Sequence, residues 1–227
     1  MKLFRTSTAA ALALIGLLGG AAQAQAQAVL TGNLTADNAF FAFLSTSPDT
    51  LGTLIGQGNN WGATYALAAT TLTPGTTYYL NIEVINYGLN GSLIGDFSLS
   101  NAQFSFASGA QSFSTGVSGW VGGYNSANSA VAQQPWVTPT GAVFTEGNNG
   151  VGPWGARSGI ATTTPWIWPS DAQSAPGGLS QAGACGLCTV DFSTRITPVP
   201  EPASGLLLLA GLGVMMLVAR RRRADPG

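Results

Sequence analysis

The sequence predicts an all-β fold, a β-sandwich or jelly roll carrying long loops rich in Trp, Pro and Gly. Short aromatic and β-branched runs recur between Gly, Asn and Pro turns, and no segment before the C-terminal apolar stretch keeps a helical period. Only 7% of residues are charged and 31 are glycine, yet aromatic and β-branched residues are too frequent for disorder. Between two terminal appendages lie about 170 residues, enough to bury a single core.

The elements follow in chain order. Lys2 and Arg5 precede an apolar run from Ala9 to Gly20 and an Ala-Gln ladder with Ala-x-Ala at 22–24, 24–26 and 26–28. A basic start, an apolar middle and small residues at a cleavage region make residues 1–28 a secretory signal peptide, read by the Sec export machinery and signal peptidase. The alternative is an uncleaved N-terminal anchor.

Residues 29–198 form the exported domain. Residues 40–44 are a short apolar strand. Residues 77–86 alternate, with Tyr78, Leu80, Ile82 and Val84 toward the core and Tyr79, Asn81, Glu83 and Ile85 on a polar face. Thr73-Pro74-Gly75-Thr76 before it is a turn, Pro setting φ and Gly supplying a positive φ. Residues 93–99, 104–106 and 189–196 are further strands. From 118 to 183 the chain is rich in Gly, Pro, Asn and Gln, repeats Pro-Trp three times and reads as long loops, functional or packed down as a cover. Within it Trp166-Ile167-Trp168 alternates as a strand would, both indoles on one face.

Composition excludes several functions. The chain has no His and two Cys, so an ordinary four-ligand zinc site and every imidazole mechanism are ruled out. The exported domain holds two bases, Arg157 and Arg195, against seven acids, and no Lys. Its net charge of −5 leaves nothing to neutralise phosphates, so nucleic acid is not a partner. A Ser-Lys dyad is excluded as well.

The C-terminus begins with Val199-Pro200-Glu201-Pro202. Residues 203–219 are apolar, and Arg220, Arg221, Arg222 and Arg223 open a basic tail at 220–227. As a helix, 203–219 would span about 26 Å, barely a thin hydrocarbon core. The arginines stay cytoplasmic, which gives a single-pass transmembrane anchor with the domain outside.

Pro-Glu-Pro, a Gly-interrupted apolar helix and an arginine cluster, in this order, resemble the PEP-CTERM sorting signal of Gram-negative bacteria. The resemblance covers residues 199–227. It implies that Val199, Pro200, Glu201 and Pro202 are a recognition element for an exosortase, which cuts near the motif. It also implies delivery from an inner-membrane-anchored precursor to the cell surface or extracellular matrix, in bacteria that build exopolysaccharide or biofilm. A permanent anchor on a Pro-rich stalk is the alternative.

A second resemblance covers about half of the exported domain. Residues 34–40, Asn60-Trp61, 72–75 and the alternating 80–86 are similar to the core of a galactose-binding-like β-sandwich. In related sandwiches a Trp-Ile-Trp lies upstream of that core; here Trp166-Ile167-Trp168 and residues 191–194 lie downstream, as in a circular permutation. The resemblance implies Trp166 and Trp168 in the core, a fold used mostly for carbohydrate, and sometimes structural calcium. Fold alone does not fix function.

Four constellations carry candidate chemistry. Cys185 and Cys188, a C-x-x-C, read as a loop-pinning disulfide in an oxidising compartment, against a redox pair that would need a following helix. Glu83, Asp96, Glu146 and Asp171 are candidates for the paired carboxylates of a glycoside hydrolase, but no motif brings two together and exposure is the default for each. The sequence calls for no cofactor; the residues that would enter a calcium site are Asp37, Asn38 and Asp96, short of the six to eight oxygens calcium takes and without an Asp-x-Asp-x-Asp run. Trp61, Trp120, Trp136 and Trp154, each beside Gly or Pro or near one, are the candidate sugar-stacking aromatics, against the commoner fate of core packing. The expectation is a non-enzymatic surface or matrix protein in contact with exopolysaccharide. A purely structural component without a discrete ligand and a secreted carbohydrate-active enzyme are the rivals.

Overall fold

A computed structural model describes residues 27–88, 90–125, 135–171, 187–200, 211–213 and 215–216. Its strands are β1 (Val29–Asp37), β2 (Ala39–Ser45), β3 (Thr53–Gly58), β4 (Tyr65–Ala66), β5 (Thr70–Thr71), β6 (Tyr78–Tyr87), β7 (Ser92–Leu99), β8 (Phe104–Phe106), β9 (Ser112–Ser114), β10 (Trp120–Asn125), β11 (Val143–Asn148), β12 (Pro165–Pro169) and β13 (Leu187–Pro198). They form two antiparallel sheets. The seven-stranded sheet runs β11-β12-β7-β1-β4, with β5 on β1 and β9 on β7; the six-stranded sheet runs β10-β13-β6-β2-β3, with β8 on β13. The inner faces pack on each other: Leu30, Leu34, Leu93 and Phe97 of the first sheet share one buried cluster with Leu80, Ile82, Val190 and Phe192 of the second.

Alternation puts these residues there. Across β6 and β13, Leu80 lies opposite Thr194, Ile82 opposite Phe192 and Val84 opposite Val190, so one face of both strands points inward. The turn before β6 closes as predicted: Thr76 N–H donates to the Thr73 carbonyl at 3.3 Å and Gly75 has φ +78°. The Tyr78 hydroxyl accepts the Thr73 N–H at 3.0 Å.

The polar face of β6 departs from expectation. Asn81 and Glu83 are fully buried, because residues 135–140 cross the outside of the six-stranded sheet. This strap is tied at both ends. Asn125 Nδ2 donates to the Pro135 carbonyl at 3.0 Å, and Trp136 Nε1 donates to the Pro48 carbonyl at 2.8 Å, beyond β2. The region 118–183, read as loops, also contributes β10, β11 and β12. Gly122 of β10 and Gly141 exchange two backbone hydrogen bonds of 3.0 and 2.9 Å. A Cβ at Gly122 would come within 2.8 Å of Val143 Cγ1, so this close approach requires glycine.

Both ends of the domain are held by the connection between β7 and β8. Val29 N–H donates to Ser100 Oγ at 2.9 Å, and Ser100 N–H donates to the Val29 carbonyl at 3.0 Å. Val199 N–H donates to the Gln103 carbonyl at 2.7 Å. Of the predicted span 203–219, only residues 211–213, 215 and 216 are described, and they are helical. Among the described residues no helix is long and apolar enough to cross a membrane. Residues 1–26 of the predicted signal peptide lie outside the described residues; of its last two, Gln27 is exposed and Ala28 is fully buried in the core, its carbonyl accepting the Leu72 N–H, so Ala28 belongs to the folded domain.

Candidate functional site

An open groove of about 600 Å³ runs along the outer face of the seven-stranded sheet. Register builds it. Thr31 lies opposite Ser98 and Asn33 opposite Asp96 across β1 and β7, while Asp96 and Ser98 lie opposite Ser114 and Ser112 of β9. The polar half of the alternation therefore forms a hydroxyl-lined floor, with Thr31 Oγ1 and Ser98 Oγ 2.9 Å apart. The loop at 161–164 makes one wall. Asp96 fixes it by accepting the Ala161 N–H at 2.6 Å and the Thr164 hydroxyl at 2.5 Å. No Lys or Arg lines the groove.

The rest of that face is covered by residues 149–164. Ile94, Trp154, Ile160 and Trp166 form a second buried cluster there, with the Trp154 and Trp166 rings stacked at 4.8 Å. Asn149 and Arg157 shape the loop. Asn149 Nδ2 donates to the Arg157 and Ile160 carbonyls at 2.9 and 2.8 Å, and its Oδ1 accepts the Arg157 N–H at 2.6 Å. The Arg157 guanidinium donates to the carbonyls of Trp61 and Trp154 and lies 5.3 Å from the Trp61 ring centroid.

Under this loop sit two carboxyls that the sequence did not pair. Asp37 Oδ2 accepts the Trp154 indole N–H at 2.8 Å, and burial raises the Asp37 carboxyl above its ordinary range, that bond offsetting part of the rise. Glu146 is the extra residue of a bulge between Thr145 and Gly147, which aims its side chain inward. Burial pushes its carboxyl up to about 8; the Ser92 hydroxyl offsets some of this and the Asp37 carboxylate adds to it. Both Glu146 oxygens and Asp37 Oδ1 are closed to solvent.

A second acidic pair lies under the strap on the opposite sheet, where Asp191 faces Glu83 across β13 and β6. Asp191 Oδ2 accepts Asn125 Nδ2 at 3.0 Å and Val137 N–H at 3.2 Å. Burial pushes this carboxyl up to about 7, with the Glu83 charge adding to the rise and the two donors offsetting part of it. Beside it Ser193 Oγ donates to Asn81 Oδ1 at 2.7 Å.

The predicted site residues therefore distribute unevenly. Trp61 is exposed, at 38%. Trp136 is half-buried in the strap. Trp120 and Trp154 are core residues instead of surface platforms. Trp120 stacks on Phe113 at 5.3 Å and donates to the Ser114 carbonyl at 3.1 Å, and Trp154 donates to Asp37. Neighbouring Gly and Pro report backbone shape, and each indole N–H found an acceptor, which permits burial. Trp166 and Trp168 are both buried, but in different clusters: Trp168 meets Phe192 in the main core. Trp166 stacks on Trp154 outside the seven-stranded sheet while Trp168 meets Phe192 between the sheets, so the shared face expected for the two indoles is not formed.

The calcium set does not converge. Asp37 serves Trp154, Asn38 Oδ1 accepts the Tyr87 N–H at 2.6 Å, and Asp96 serves the loop at 161–164. Among the described residues no three Cys, Asp or Glu gather to hold a metal. Asp171 accepts the Tyr124 N–H and is exposed. Cys188 is fully buried and disulfide-bonded; Cys185 lies outside the described residues. Val199 and Pro200 are exposed, whereas Glu201, Pro202 and Arg220 to Arg223 lie outside the described residues.

This geometry defines a class first: an antiparallel two-sheet domain with an open, cation-free groove of mixed lining, hydroxyls and Asn33 beside Leu67, Phe113 and Val117, followed in sequence by an arginine-rich tail. The tail is then specific. Residues 198–223 match the family model of the PEP-CTERM protein-sorting motif. The chain thus carries the signal of an exported, membrane-anchored precursor that an exosortase processes on the way to the cell surface. It matches no curated protein and no solved structure, and the likeness to galactose-binding-like sandwiches finds no counterpart there.

Proposed function

We propose that the protein is a non-enzymatic component of the cell surface or extracellular matrix of a Gram-negative bacterium, and that its groove holds neutral stretches of exopolysaccharide. The groove carries this reading. Thr31, Asn33, Ser98, Ser112 and Ser114 present hydroxyl and amide groups along an open channel without a cation. Such a surface suits a neutral polyhydroxylated chain and disfavours anionic polymers. Export through Sec, signal peptidase and an exosortase delivers the domain to where such a polymer lies.

The Asp37–Glu146 pair favours the rival reading of a glycoside hydrolase, since a carboxyl raised to about 8 suits a general acid. Against it, both Glu146 oxygens are closed to solvent beneath the 149–164 loop, so no substrate reaches them.

Retardation of the exported domain in gels containing the host's own exopolysaccharide tests the proposal. Ser98→Trp, which fills the groove from an outward-facing strand position, should abolish retardation by neutral polymer. Equal retardation of wild type and variant refutes the groove as the site. No retardation of either leaves the purely structural reading, and release of reducing ends would establish an enzyme.

A further inference from the structure

We infer that the folded domain fixes both limits of its own processing: the N-terminal cut falls upstream of Ala28 and the C-terminal cut downstream of Val199, at one common end of the sandwich. The inference rests on the sorting reading above and goes beyond it, since neither the motif nor the signal-peptide pattern states where the chain stays whole.

The N-terminal side is read from Ala28. Ala-x-Ala permits cuts after residues 24, 26 or 28. Yet Ala28 is fully buried in the main core, and its carbonyl accepts the Leu72 N–H at 2.8 Å. A cut after Ala28 would remove a core side chain and a backbone acceptor and place a charged amine at the core boundary. Gln27 is exposed and tolerates a new terminus.

The C-terminal side has no linker. β13 is the last strand among the described residues but interior in its sheet, paired with β6 on one edge and with β10 and β8 on the other. Ile196, Thr197 and Pro198 lie opposite Phe106, Ser105 and Phe104, and Val199 is bonded to Gln103. The sorting motif begins at residue 198, inside this pairing. A protease binds its substrate as a free extended segment, and residues held in this pairing, Ile196 between β6 and β8 and Thr197 and Pro198 on β8, cannot enter it. Opening them would expose the fully buried Ile196, which lowers the cleavable population by about ten-fold or more. A cut within β13 would also remove the strand that completes the six-stranded sheet. The chain therefore folds first, while still held at the membrane, and is cut second.

The two limits coincide in space. Ser100 binds Val29 and Gln103 binds Val199, so the four-residue connection between β7 and β8 clasps both ends. The points from which the predicted signal peptide and tail continue, Val29 and Val199, thus lie at one connection, which suits a precursor with two membrane-inserted segments.

The test is the intact mass of the protein recovered from its own host, made from the full-length gene, with two variants. The wild type should begin at Gln25 or Gln27 and end at or after Val199. Deleting Pro198 and Val199 moves the motif into the strand and should slow tail removal by about ten-fold or more, through the same opening requirement. Adding Gly-Ser-Gly-Ser after Thr197 of that variant should restore the wild-type rate. A mature chain that starts at Val29 or ends before Val199 overturns the inference and leaves the sorting reading standing. So does a deletion variant processed at the wild-type rate, or one the linker does not rescue. A wild type whose tail is never removed overturns both.

Discussion

Replacing Glu146 by Gln should raise stability relative to wild type progressively as pH rises, with no gain at low pH. The bulge in β11 turns this side chain into the space between Asp37 and Ser92, and burial pushes its carboxyl from 4.5 up to about 8. The sign follows from which state ionises first. Below pH 4.5 the carboxyl is protonated folded and unfolded alike, and the stability it permits is fully present. As pH rises the unfolded chain ionises first, so stability falls until the folded carboxyl ionises near 8 and is flat above it. With one pH unit of differential protonation worth about 1.4 kcal/mol, the loss is about 3 kcal/mol at pH 7 and about 5 kcal/mol by pH 8.5. Glutamine keeps the shape and never ionises. Burying its amide carries a cost of about 1–3 kcal/mol, but the same one at every pH. Urea unfolding of wild type and Glu146→Gln at half-unit steps from pH 4 to 9 reads the difference directly. A gap that widens by several kcal/mol between pH 4.5 and 8 is expected. Parallel stability curves would refute the reasoning, because they would mean that Glu146 is solvated in the folded protein.

Three further outcomes are expected. Trp154→Phe keeps the stacking on Trp166 but takes the indole donor from Asp37, and should cost about 1–3 kcal/mol in the same urea assay. Phe192→Ala, at the centre of the main core against Trp168, should cost about 3–5 kcal/mol, seen as a lower urea midpoint with unchanged m-value. Gly75→Ala forces a side chain into φ +78° where space is open but the backbone is not, and should cost about 1 kcal/mol without changing the near-ultraviolet circular dichroism.

The strands that the sequence made legible share one property: their alternation is local. Tyr78, Leu80, Ile82 and Val84 announce the inner face of β6, and the turn at Thr73–Thr76 announces its start. β1, β10 and β11 carry weaker signals, because Gly, Thr and Asn are interspersed where β1 forms the groove and β10 meets Gly141 at backbone distance. The pairing of Asp37 with Glu146, and of Glu83 with Asp191, joins residues about a hundred positions apart. No spacing rule could show it.

Sequence by itself determined the sorting tail and the class: a PEP-CTERM motif at the C-terminus and, ahead of it, a charge-poor all-β domain without histidine. These follow from composition and from short contiguous patterns, which need no knowledge of what lies opposite. Tertiary structure decided everything that depends on what covers a strand's second face. A face reads as polar whether it meets water or a strap. Only the packing of residues 135–140 and 149–164 buried Glu83, Asp191 and Glu146 and drew Trp154 into the interior, while Thr31, Ser98 and Ser112 were left open to solvent. A side chain's exposure is set by segments distant in the chain, and there lies the boundary between the two readings.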